Sequence, residues 1–147
     1  MVASFGLPRT GSARLSSHMN DRRNLRVLDA SFALVAAVHA SARTVDVAQV
    51  PGLRAQLLRA VDSVPSNISE GARGGRAQFA RYPRLALGSA DEAGTHLRIA
   101  YHARALDQST YWQCEAKRTV VCKMLHRLIR AIDEQTARER NEKGERA

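Results

Sequence analysis

The sequence predicts an all-α protein, an up-down-up-down four-helix bundle, on three observations. Apolar residues recur every three or four positions through most of the chain, the spacing that lines one face of a helix. Alternating runs of β-branched and aromatic residues, the material of sheet, are scarce. Composition is 44% hydrophobic but only 5% aromatic, which suits a core of Leu, Val, Ile and Ala. At 147 residues the chain is one domain's worth and needs no disulfide or metal to support its core.

The elements follow in chain order. Residues 1–20 carry Gly, Ser, Pro and Arg, with no acid and no sustained apolar period. They are expected to form a disordered basic leader. The bundle is expected over 21–138, with helices at about 22–43, 51–71, 76–104 and 111–138, and 139–147 as a frayed charged tail. In helix one, Leu28, Phe32, Val35 and Val38 share a face. The segment TVDVAQVPG breaks that period, and Pro51 is expected as the first residue of helix two, where its missing N–H costs nothing.

Leu53, Leu57, Val61, Val64 and Ile68 make the apolar stripe of helix two, and its phase runs on past Pro65. Gly71 is expected to close that helix in the left-handed conformation, before Gly74-Gly75 turns the chain. Helix three keeps Phe79, Tyr82, Ala86, Ala90, Ala93, Leu97 and Tyr101 in phase. Its slim middle at Gly88-Ser89-Ala90 is expected to admit a neighbouring helix. Pro83 removes one backbone bond and should kink helix three or delay its start. Helix four buries Val121, Leu125, Leu128 and Ile132. Short connectors then make alternating directions the economical packing.

One stretch stands apart: SVPSNISEGARGGRAQF, Ser63 to Phe79. Its sequon Asn67-Ile68-Ser69 falls inside a helix, whereas glycosylation takes an exposed loop of a secreted chain. A phosphate loop of the nucleotide-hydrolase kind is excluded, since no G-x-x-x-x-G-K motif lies between a strand and a helix. What remains is a turn bearing Arg73, Arg76, Arg81 and Arg84, with no acid between Glu70 and Asp91.

The same region carries a resemblance. QLLRAVDSVPSNISEGARGGRAQFARYPRLALGSADE resembles the signature of the four-helix-bundle proteins encoded by intervening sequences in bacterial 23S ribosomal RNA genes. The matching positions are Gln56, Leu57, Arg59, Ala60, Ser63, Val64, Asn67, Ile68, Glu70, Gly71, Phe79, Tyr82, Ala86, Gly88 and Ser89. Pro83 and Ala90 depart from the pattern, which prefers Leu at both, so helix three is expected to pack more loosely or bend. The resemblance implies a homopentamer with no enzymatic activity, and marks Asn67, Glu70, Gly71 and Gly88 as structural motif residues. More distantly, the chain is similar to the accessory variability protein of diversity-generating retroelements, which binds nucleic acid and a reverse transcriptase. By that analogy a reverse transcriptase joins the expected partners.

Net charge is +9 with a pI near 10.7, carried by 20 Arg against 3 Lys. Such a balance favours polyanions, and guanidinium forks match phosphate geometry. Alternating helices bring the start of helix one, the second turn and the end of helix four to one pole. That pole is expected to gather Arg22, Arg23 and Arg26, then Arg73, Arg76 and Arg81, then Lys123, Arg127 and Arg130. Asp133 and Glu134 offset part of the charge. The opposite pole, with Arg43, Asp46, Arg104, Asp107 and Glu115, is close to neutral. The plainer reading of the same arginines is a set of solvated helix ends, with those of helix four complementing its dipole.

Other chemistry finds less support. Asn67 and Glu70, three apart, either orient the Arg turn or line an inter-subunit site, or simply bond to backbone at the helix end. Glu92 with His96, and Cys122 with His126, each offer two metal ligands where a structural zinc site takes four, so no metal or other cofactor is expected. Cys114 and Cys122 lie about 12 Å apart along one helix, too far to bridge. No nucleophile has a base at readable spacing, and a ribonuclease reading rests only on His39, His96, His102 and His126. No run is expected to reach the roughly 20 apolar residues of a membrane span, and the chain is expected in the cytoplasm. The first functional expectation is a non-catalytic oligomer that binds nucleic-acid backbone, RNA ahead of DNA, through its Arg pole. The alternative is a protein-interaction scaffold whose charge serves solubility.

Overall fold

The computed structural model describes residues 11–45 and 48–145, with side chains described from Arg23 onward and Arg76 excepted. It holds four helices, α1 Gly11–Ala42, α2 Leu53–Arg73, α3 Arg76–His102 and α4 Gln108–Gly144. α1 packs on α2 and α4, and α3 packs on the same two, so the diagonal pairs α1–α3 and α2–α4 do not meet. This is the up-down-up-down square the short connectors predict.

The core forms where the stripes converge. Leu53, Leu57, Val61, Val64 and Ile68 of α2 are all buried, as are Val121, Leu125, Leu128 and Ile132 of α4. α3 contributes Leu97 with Ala86, Ala90, Ala93 and Ala100, each fully buried. Small side chains there let its backbone lie close to α2. Full burial of each Leu or Val contributes about 1.5–3 kcal/mol.

α1 corrects the expected face. Val38 is fully buried and Leu28 and Val35 pack partly buried against the core as expected, but Phe32 is 55% exposed, and the other buried residues are Asn24, Val27, Ser31, Leu34, Ser41 and Ala42. The buried face is turned from the expected one toward Val27, Ser31 and Leu34, with Val38 common to both. Two serines make this possible. Ser31 Oγ donates to Leu28 O at 2.6 Å and Ser41 Oγ to Val38 O at 2.8 Å, so their hydroxyls enter the core already bonded to their own helix. Cys114 Sγ of α4 then reaches Ser41 Oγ at 3.6 Å.

Helix boundaries differ from the expected ones for identifiable reasons. α1 begins at Gly11 instead of about residue 22; no proline interrupts the chain between Pro8 and Pro51. α2 begins at Leu53, not Pro51, because Val50-Pro51-Gly52-Leu53 is a type II turn. Gly52 has φ 81° and ψ −12°, and Leu53 N donates to Val50 O at 3.2 Å. At the other end Gly71 is not a left-handed cap. It is buried inside α2, which runs on to Arg73. An added Cβ there would lie 2.9 Å from Tyr82 Cβ, so the glycine serves the close crossing of α2 and α3. Both Pro65 and Pro83 lie inside helices, and α3 starts at Arg76 despite Pro83.

Gly88 is likewise corrected: it is exposed, and an added Cβ would meet nothing. The glycine that admits a neighbour is Gly94, where a Cβ would lie 2.6 Å from Arg118 Nε of α4. α4 extends to Gly144 instead of ending near residue 138, since the tail is rich in Arg, Glu and Ala, all good helix formers. Among the described residues, α1 also corrects the membrane expectation. Arg23–Ala42 is 20 residues with mean hydropathy 1.4, long and apolar enough by length and composition to cross a bilayer. In the bundle that composition supplies Val27, Leu34 and Val38 to the core.

α4 starts at Gln108 because Asp107 caps it. Its carboxylate accepts from Thr110 N at 2.9 Å and from Thr110 Oγ1 at 2.6 Å. The Thr110 hydroxyl and amide hold the Asp107 carboxyl below the usual carboxylate range. A depressed pKa stabilises the fold above the unfolded-state value, and that contribution disappears as pH falls through the folded-state value. Asp107→Ala is therefore expected to lower the melting temperature at pH 7, with the gap to wild type closing as acid protonates the cap. Thermal melts across pH 2–7 test this. A gap independent of pH would mean the carboxylate is not the stabilising group.

Candidate nucleic-acid interface

Three contacts define one pole of the bundle. The middle of α1 meets the end of α2, where Asn24, Leu25 and Leu28 face Ile68, Ser69 and Ala72. The start of α3 meets the far part of α4, where Arg84 Nη2 lies 2.6 Å from Asp133 Oδ1. The same middle part of α1 also faces α4 across an open groove of about 480 Å³.

That groove is the main feature. Arg23 and Arg26 of α1 and Arg127 and Arg130 of α4 line it, all four exposed. Beneath them lie Val27 and Leu128, 3% and 2% exposed, with Met124 and Ala131 partly buried beside them. Glu134 is the one acid in the lining. None of the four arginines makes an ion pair among the described residues, whereas Arg84 and Arg118 do. Four guanidinium groups with a single carboxylate leave a net excess of positive charge in one groove. Like charges so placed repel one another, and a bound anion relieves that repulsion.

The remaining expected site residues fall nearby or outside. Arg73 is exposed in the last turn of α2. Arg81 is exposed early in α3, with its guanidinium carbon 6.0 Å from the Tyr82 ring centre. Both belong to the α2–α3 end of the bundle and neither lines the groove. Lys123 is exposed one turn before Arg127 and also lies outside the lining. The side chains of Arg22 and Arg76, and all of Asp46, lie outside the described residues. Asn67 Nδ2 donates to Ser63 O at 2.8 Å, the local backbone contact among the alternatives the sequence leaves open. The Glu70 side chain is exposed, and its backbone oxygen accepts from Gly74 N at 3.1 Å.

Sequence reasoning misses the groove's floor. Leu128 reads as an ordinary stripe position and Val27, Met124 and Ala131 carry no signal of their own, and only the packing of α1 on α4 sets them beneath arginines of both helices. It also misses the cluster around Arg118 on the α3–α4 side. Arg118 Nε donates to Glu115 Oε2 at 2.9 Å, a second bond joins it to Glu115 Oε1, and Nη1 reaches Asp91 Oδ1 at 3.1 Å. The bonds to Glu115 push the guanidinium pKa above its ordinary value, so this arginine is held in an internal pair.

Of the histidines weighed for catalysis or metal, His39 is hydrogen-bonded, whereas neither ring nitrogen of His96 has a hydrogen-bond partner among the described residues. His39 Nε2 lies 2.7 Å from Asp62 Oδ1 across α1 and α2, and His96 Nε2 lies 3.6 Å from Glu92 Oε1 along α3. Among the described residues no group of three or more His, Cys, Asp and Glu is placed to hold a metal ion. Both cysteines are free. Burial pushes the Cys114 thiol up, and does the same to Cys122 against the opposing charge of Arg118.

Comparison with known proteins agrees with this architecture. No curated protein matches the chain. A crystal structure of a protein of unknown function from the S23 ribosomal protein family of Bacteroides thetaiotaomicron superposes with a TM-score of 0.68. The two are 22% identical, and the match covers 74% of this chain and 98% of the other, which establishes a shared fold. Residues 23–127, the span from the first groove arginine to the third, match the model of the 23S rRNA-intervening sequence protein family, and the chain belongs to that family.

Proposed function

We propose that this protein is a non-catalytic, oligomeric bundle of the cytoplasm that binds the backbone of nucleic acid, RNA ahead of DNA, as an accessory factor in a ribonucleoprotein. The observation that carries this reading is the α1–α4 groove, where Arg23, Arg26, Arg127 and Arg130 face one opening and none is ion-paired among the described residues. Arg73 and Arg81 at the same end of the bundle add to the field. Guanidinium groups free of internal pairs lose little on meeting a phosphate, and each phosphate contact releases counterions. Assembly into a homopentamer, which the family resemblance implies, would repeat the groove around a ring. Leu25, Phe32, Trp112 and Val120, each at least half exposed, offer apolar surface for contacts between copies.

The test is a salt titration with RNA of mixed sequence. Affinity is expected to fall steeply and linearly on a log–log plot, with a slope of about −0.7 per phosphate contacted on a single strand. Absence of binding at low salt would remove the reading. A second reading, an interaction scaffold for other proteins, is favoured by the same exposed Phe32, Trp112 and Val120. It predicts no salt-dependent RNA affinity at all.

A further inference from the structure

We infer that the α1–α4 groove holds one nucleoside phosphate unit, base included, so that the protein prefers unpaired nucleotides to duplex. This rests on the phosphate-binding reading above and narrows it.

A contact made only to phosphates needs charge on a surface and nothing beneath it. Here the four arginines rim a groove whose apolar surface is supplied by the partly buried Met124 and Ala131, over the almost fully buried Val27 and Leu128. Its volume, about 480 Å³, falls in the range of about 300–1,000 Å³ typical of sites for single small ligands. A duplex keeps its bases stacked inside and presents its phosphates, so its bases cannot reach such a floor. An unpaired nucleotide can, with its phosphate on the arginine rim and its base laid against Met124 and a guanidinium plane. Guanidinium planes stack on unpaired bases as aromatic rings do. Methionine adapts to irregular and varied partners, which suits a face that takes both purine and pyrimidine rings.

Glu134 strengthens the case. A carboxylate in the lining repels a phosphate and weakens a site built for phosphate alone. It is complementary to the exocyclic amino group of a base, which donates to carboxylates. The groove therefore has a cationic part for the phosphate, an apolar part for the ring and an acceptor for the base edge. The unit can come from an unpaired strand or from a free nucleotide.

Fluorescence anisotropy of the full chain with a labelled unpaired RNA of about ten nucleotides, alone and annealed to its complement, tests this. The unpaired strand is expected to bind about tenfold more tightly per phosphate, the scale of one base contact. Met124→Ala is expected to narrow that gap, and a nucleoside 5′-monophosphate is expected to outcompete inorganic phosphate. A monophosphate binding as tightly as the strand identifies a free nucleotide as the source; a weaker one identifies the strand. Equal affinity for strand and duplex, with monophosphate no better than inorganic phosphate, overturns the inference and leaves backbone binding intact. Absence of salt-dependent binding to both overturns the inference and the function it rests on.

Discussion

Replacing Arg127 and Arg130 together by Glu is expected to reduce affinity for unpaired RNA by about a hundredfold or more at low salt. Charge-assisted hydrogen bonds contribute about 1.5–3 kcal/mol each, so losing two accounts for roughly that factor before repulsion is counted. The reversal also turns the groove's excess from three positive charges to one negative, given Arg23, Arg26 and Glu134 unchanged. The salt slope should shrink by about 1.4 for two phosphates on a single strand. Both positions are exposed on α4, and Glu matches Arg in helix propensity. The new like-charge pairs of position 130 with Asp133 and Glu134, three and four residues on, cost about 0.2–0.5 kcal/mol each. The thermal midpoint should therefore hold while binding collapses. Arg43→Glu with Arg104→Glu makes the same change in net charge at the opposite pole. α2 alone, at 21 residues, is about 31 Å long, well beyond a Debye length of about 10 Å, so this control should change affinity less than about threefold. Equal losses from both pairs would show that RNA responds to total charge and not to the groove.

How much of the fold and the groove is legible in the amino-acid sequence depends on what each signal measures. The stripes of α2 and α4 are readable because every member of each is apolar and in phase, with nothing polar to compete. The α1 stripe is legible at Val38 and misread at Phe32, because two of its buried positions are Ser31 and Ser41, whose burial depends on hydrogen bonds to their own helix. Hydropathy scores a serine as solvent-seeking and cannot see those bonds. Glycine roles fail for a related reason: Gly71 sits where a left-handed cap fits the pattern, and its actual use is the distance to Tyr82, a property of two helices. The gathering of Arg23 and Arg26 with Arg127 and Arg130 is legible, since it follows from chain direction alone. The separation of Arg73, Arg81 and Lys123 from that groove is not, since pole membership says nothing about which inter-helix seam a side chain enters. Gly52 escapes notice as a turn residue because Pro51 satisfies two rules at once, opening a helix or leading a type II turn, and only the φ of the next residue separates them.

Leu34→Ala is expected to destabilise the fold by about 2–5 kcal/mol, and Phe32→Ala by no more than about 1 kcal/mol, an ordering that inverts the sequence-based reading of α1. Leu34 is completely buried in the core with Val38 and Leu57, so truncation loses the transfer free energy of three carbons and leaves a cavity that rigid helices fill poorly. Against a total of about 5–15 kcal/mol for a domain, that is a large fraction, and the melting temperature should drop by roughly 10 °C or more. Phe32 keeps 55% of its surface in solvent, so its ring gives up less on truncation, and alanine is the better helix former by about half a kcal/mol. If Phe32 were the core residue, its loss would cost about 3–5 kcal/mol and Leu34 would be the tolerant site. Assembly adds a separable effect. Should Phe32 be covered by another copy of the chain, its truncation would become more costly as protein concentration rises, because association stabilises the folded state by mass action. The Leu34→Ala loss would persist at every concentration. Chemical denaturation of both variants at two concentrations a hundredfold apart therefore reads the register of α1 from the size of each loss, and the use of its outer face from how the Phe32→Ala loss changes between them.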